Sequence, residues 1–202
     1  MKAKIKVIVI GIIMIGLAGM YSVIDKNVSI YDTSCDTGQF QWVFLEENKE
    51  VAQRFVSKEK ELDAIAFKVA ADDNMDRGKI ILSYQLTDHL SGDPVAKGEV
   101  NLTGLKVGKF FKIRFPKVEN CKGKEYEFRM FLKQRGEDGN VRVFYTLGSS
   151  EKAEFSYDNT KIDGIGVFRT VTHRFDLETF VITLGFLVYI VVFMRWLYRL
   201  FK

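Results

Sequence analysis

The sequence predicts a mainly β protein, an antiparallel β-sandwich domain flanked by two transmembrane helices. Three features carry this. Hydrophobic residues alternate with period two through the middle of the chain, and turn residues recur there about every eight to twelve positions. Two long stretches near the ends hold almost no charge. The 202 residues are 47% hydrophobic, with 17 Phe and only 2 Pro. That composition excludes collagen-like, coiled-coil and wholly disordered chains.

The first apolar stretch, 7–24, reads VIVIGIIMIGLAGMYSVI and carries no charge. As a helix it would reach about 27 Å, close to the thickness of a bilayer's hydrocarbon core. Two readings of it stay open: a retained signal-anchor helix and a cleaved signal peptide. The second stretch, 179–194, is extended to 198 by Arg195, which can snorkel, and by Trp196 and Tyr198, which suit the interface. Asp176 and Glu178 supply a cap and favourable charge at its N-terminus.

Lys2, Lys4 and Lys6 precede the first stretch, and Arg195, Arg199 and Lys202 close the second. Without those residues the formal charge falls from +4 to −2, with 24 basic and 26 acidic residues between Asp25 and Glu178. The positive-inside rule then places both termini in the cytoplasm of a cell-membrane protein and the centre on the far side. The expected organisation is a cytoplasmic tail 1–6, a transmembrane helix or signal-anchor 7–24, an extracytoplasmic β-sandwich 25–178, a transmembrane helix 179–198 and a cytoplasmic tail 199–202. Basic residues here report topology, so the expected partner is the lipid bilayer and not nucleic acid.

Ten strands are expected within the domain: 39–45, 52–57, 62–70, 79–87, 95–102, 109–115, 125–133, 141–147, 153–157 and 165–174. Ser91-Gly92-Asp93-Pro94 and Glu137-Asp138-Gly139-Asn140 suit tight reversals. Parity assigns Tyr126, Phe128, Met130 and Leu132 to the core, with Phe111, Ile113, Phe115, Ile65, Phe67, Val69, Leu82, Tyr84 and Leu86. Cys35 and Cys121 are a candidate disulfide in an oxidising compartment. In the chain-entropy model a bridge over so long a loop contributes on the order of 4–5 kcal/mol.

No Gly-x-Ser-x-Gly, His-Glu-x-x-His, phosphate loop or Cys-x-x-Cys occurs, and the two histidines, His89 and His173, lie far apart in sequence. No catalytic residue and no cofactor is therefore expected. Asp72, Asn74 and Asp76 have the spacing of calcium-loop oxygens, but Arg77 stands where the turn needs glycine and Ser83 where the bidentate glutamate belongs. The stronger feature is aromatic residues on faces that parity assigns to water. Phe110 lies with Lys112 and Arg114, Phe131 with Glu127 and Arg129, and Phe144 with Arg142; Trp42 and Tyr157 sit in outer strands. Such rings can stack on sugars or bury into a protein partner, or they can form a second core layer.

The chain also resembles a known type of module on the residues Gln53-Arg54-Phe55, Leu62 to Val69, Gly78-Lys79-Ile80-Ile81-Leu82, Leu86-Thr87-Asp88, Phe115-Pro116 and Gly123-Lys124-Glu125-Tyr126. It is similar there to the jelly-roll, carbohydrate-binding-like β-sandwiches on the extracytoplasmic side of bacterial membrane proteins linked to cell-surface polysaccharides. The resemblance implies a noncatalytic accessory or binding component of cell-envelope glycan assembly, whose partner is a cell-surface glycan or a membrane protein. Phe110, Phe131, Phe144, Trp42 and Tyr157 are the candidate contacts. A structural subunit or assembly factor that binds no sugar is the alternative.

Overall fold

The computed structural model describes residues 2–136 and 138–201. Met1, Lys202, Glu137 of the second expected reversal, and the side chains of Lys2, Ala3, Lys4, Lys6 and Val7 lie outside the described residues. The chain forms two compact units: Asn27–Thr172, and the terminal segments up to Lys26 and from His173.

The strands in chain order are β1 (Val23–Ser29), β2 (Gln41–Leu45), β3 (Glu50–Val56), β4 (Glu61–Ala71), β5 (Ile81–Asp88), β6 (Pro94–Asn101), β7 (Phe110–Glu119), β8 (Glu125–Gln134), β9 (Val141–Leu147), β10 (Ala153–Tyr157), β11 (Thr160–Ile162), β12 (Gly164–Gly166) and β13 (Phe168–Phe175). They make two antiparallel sheets that form a sandwich. One has seven strands, in the order β1-β13-β4-β9-β12 with β2 on β9 and β7 on β4; the other has six, β11-β10-β3-β8-β5-β6.

Alternation decides what lies between the sheets. Tyr126, Phe128, Met130 and Leu132 of β8 are buried, as are Ile65, Phe67 and Val69 of β4 and Phe111, Ile113 and Phe115 of β7. Phe67 stacks on Phe168 at 5.4 Å between centroids and meets Phe128 of the opposite sheet at 6.3 Å. Each such buried ring contributes about 1.5–3 kcal/mol relative to exposure. One polar residue joins the sheets: buried Gln53 accepts from the Gly166 amide at 2.8 Å and donates to the Arg54 carbonyl at 2.8 Å. Its hydrogen bonds offset the cost of removing an amide from water.

A second, smaller cluster holds Tyr31, Phe40, Ile165 and Val167. The segment that carries Tyr31 and Phe40 includes a short 3-10 turn, Thr37–Gln39, capped by Asp36, which accepts from the Gly38 amide.

The expected disulfide is not formed, because the two cysteines belong to separate clusters. Cys121 is buried in the main core with its Sγ donating to the Val118 carbonyl at 3.1 Å, whereas Cys35 is half-buried against the smaller cluster.

Two helices lie in the terminal unit, α1 (Lys2–Tyr21) and α2 (Leu177–Leu200). Among the described residues one helix, α2, is long and apolar enough to cross a membrane; the apolar part of α1, Ile8–Tyr21, is shorter. This corrects the expectation of two spans. The lysine-bearing start of the chain is wound into α1, and the helix stops at Tyr21, so that Val23 and Ile24 enter β1. The Ser22 hydroxyl donates to the Ala18 carbonyl at that stop. Asp176 caps α2 by accepting from the Thr179 amide at 2.9 Å, and that bond holds its carboxyl below the usual range.

Candidate functional site

The outward face of the six-stranded sheet is built from cross-strand rows. In one row Glu50 of β3, Phe131 of β8, Ser83 of β5 and Glu99 of β6 stand opposite one another. In the next row stand Ala52, Arg129, Gln85 and Lys97. Residues paired across strands share a face, so these side chains project together. All of them except the buried Ala52 line an open groove of about 480 Å³, with Tyr84 and Gly98 completing the wall. A depression of about 260 Å³ adjoins it and shares Glu50 and Phe131, with Asn48 at its far side.

Phe131 is 38% exposed in the groove. Arg129 contacts Glu50 at 3.3 Å and donates from Nε to Glu127 at 2.6 Å. Lys133 pairs with Glu99, and the Gln85 amide donates to the Thr87 hydroxyl. Burial pushes the Glu50 carboxyl up, Arg129 opposes the shift and Glu127 adds to it. Farther along the same face, Arg54 pairs with Glu125 at 3.1 Å and with Glu154 at 2.9 Å. His89 lies 3.5 Å from that guanidinium. A hydrogen bond from Lys161 holds Glu154 below the usual carboxylate range.

The five rings singled out by sequence do not share one surface. Phe131 alone lines the groove. Phe110 and Phe144 belong to the seven-stranded sheet and are half-buried against the smaller cluster, where the Arg169 guanidinium lies 3.8 Å from the Phe110 ring centroid. Trp42 of β2 stands opposite Phe144, with their rings 6.5 Å apart edge to face. Tyr157 pairs with buried Val51, which turns its ring toward the core side; its hydroxyl donates to Glu46 at 3.4 Å.

Sequence reasoning missed Glu50, Ser83, Gln85, Lys97, Glu99 and Gly98 as groove residues. The parity of Phe131 pointed to the correct face of β8. The neighbouring residues follow only from the order and register of four strands.

The calcium-like triad is spent on protein partners, most of them in the segment 138–142. Asp72 pairs with Arg142 at 2.7 Å and accepts from the Asn140 amide, Asn74 donates to the Asp138 carbonyl, and Asp76 accepts from the Gly78 amide. The two carboxylates therefore point at separate partners, and Asn74 acts through its amide nitrogen. Among the described residues no three His, Cys, Asp or Glu side chains gather where they could hold a metal ion.

No protein-family model matches the chain, and no curated protein matches it. Among solved structures it is similar to the Yersinia pseudotuberculosis-derived mitogen, at 9% identity and a TM-score of 0.33, over 71% of this chain and 100% of that one. A structure of the Gx strain of infectious bursal disease virus is matched at 9% identity and a TM-score of 0.21, over 75% and 36% of the two chains. The flagellar cap protein FliD of Escherichia coli is matched at 10% identity and a TM-score of 0.16, over 89% and 63%. Likenesses at this level establish no shared activity, and the sandwich is read from its own strands.

Proposed function

We propose that this chain is a membrane-anchored binding component that recognises a glycan, as an accessory to cell-envelope glycan assembly. The observation that carries the reading is the Phe131 row: a partly exposed ring flanked in register by the Glu50 carboxylate and the Ser83 hydroxyl, with the Gln85 amide and the Arg129 guanidinium in the adjoining row of the same groove. A flat ring packs against the C–H face of a sugar, while the surrounding polar groups exchange hydrogen bonds with its hydroxyls. Anchoring through α2, with Arg195 and Arg199 on the cytoplasmic side, would display the sandwich extracytoplasmically.

The test is a glycan array probed with the full chain in lipid nanodiscs, followed by titration of the ligand found. Phe131→Ala is expected to weaken binding about tenfold or more, equivalent to about 1.4 kcal/mol, while Leu90→Ala on an exposed turn leaves it unchanged. The glycan is expected back intact after incubation. An array without a bound glycan, or an affinity indifferent to Phe131, rejects the reading.

A further inference from the structure

Among the described residues the sandwich protects all of its sheet edges except one. Strands with a single pairing partner are β1, β2, β7 and β12 in the larger sheet and β6 and β11 in the smaller. An edge strand presents unpaired backbone amides and carbonyls, and proteins blunt such edges with charge, proline or brevity. β1 carries Asp25 and Lys26, β6 carries Pro94, Lys97 and Glu99, and β7 carries Lys112, Arg114, Pro116 and Lys117. β11 and β12 have three residues each. β2, Gln41-Trp42-Val43-Phe44-Leu45, has neither charge nor proline. It leaves Trp42 50% exposed and Phe44 44% exposed.

We propose that β2 pairs antiparallel with β2 of a second copy of this chain, joining the two larger sheets edge to edge. The strand's own sequence selects that occupant. A two-fold axis through Val43 places Trp42 of one copy opposite Phe44 of the other, and Gln41 opposite Leu45. Aromatic cross-strand pairs of this kind stabilise sheets. Beyond the strand, Phe40 faces Glu46 and Gln39 faces Glu47, so no like charges meet on either flank. The contact is isologous and closes at two copies. It uses the sheet opposite the groove and stands independently of glycan recognition.

Sedimentation equilibrium of the full chain in detergent micelles tests this. The wild type is expected to be dimeric. Trp42→Lys combined with Phe44→Lys sets lysine against lysine in both rows and is expected to raise the dimer dissociation constant at least tenfold. Trp42→Lys combined with Phe44→Glu sets opposite charges against each other and is expected to restore the dimer in a salt-sensitive form. That rescue depends on the proposed register, which a merely sticky patch would not reproduce. A monomeric wild type, or two double variants that behave alike, overturns the proposal. The wild type alone provides a second readout: the amides of β2 are expected to exchange with deuterium more slowly as protein concentration rises. Exchange indifferent to concentration, as when the edge is free or reserved for a strand of another protein, also overturns it.

Discussion

Phe131 and Phe110 carry the same ring on polar-side parity, and their neighbours give them opposite roles. Phe131 stands between Glu50 and Ser83, short of a covering segment, and remains partly open. Phe110 is roofed by Arg169 and packs against the smaller cluster. Parity reports the side of a strand and says nothing about a loop folded over it, so the candidate rings were only partly legible in the sequence. The core rings Phe67, Phe128 and Phe155 were legible or lay in a recognised strand, because both neighbours along the strand are polar or small. Glu50 was not legible, since its significance comes from a partner on β8. Burial raises its carboxyl above the ordinary value, so folding favours its protonated form. The stabilisation this gives is fully present below the unfolded-state value and is lost as pH rises through the folded value. Glu50→Gln mimics the protonated form, and urea midpoints across that window are expected to vary less with pH than in the wild type. Equal slopes in the two proteins would show that Glu50 contributes no such dependence.

At the scale of elements, nearly every central strand was legible, and the misses have physical causes. β1 was hidden because Val23 and Ile24 continue the apolar run of α1, and composition does not mark where a helix stops. β11 was missed because it has three residues and follows a turn that the sequence analysis did not pick out. Asp158 and Asn159 adopt φ of 51° and 60°, the two-residue hairpin geometry that Asp and Asn tolerate. β12 was merged with β13. Its sequence, Gly164-Ile165-Gly166, is set by close approach: a Cβ on Gly166 would lie 2.5 Å from the Phe168 ring and 2.7 Å from the Gln53 side-chain oxygen. Gly166→Ala is therefore expected to cost about 1–3 kcal/mol in denaturant unfolding, as overpacked sites do. An unchanged midpoint would mean that Phe168 yields freely. Gly164 meets Tyr145 at a similar distance, so β12 could not exist with ordinary side chains at both ends.

For the whole molecule, charge asymmetry and hydropathy set out the plan: apolar ends and a neutral, alternating centre. The sandwich and the apolar C-terminal helix agree with it, and the two-span arrangement does not, since only α2 meets the length requirement among the described residues. Recognition by the groove and pairing through β2 both suppose a sandwich held by α2 on the far side of the membrane. Thiol labelling tests this directly. Val107 is 81% exposed and Phe201 is 83% exposed, while native Cys121 is buried and Cys35 can be replaced by serine. In spheroplasts making the full chain as Cys35→Ser, a membrane-impermeant maleimide is expected to label Val107→Cys before lysis and Phe201→Cys only after it. Val107→Cys protected until lysis would contradict the account.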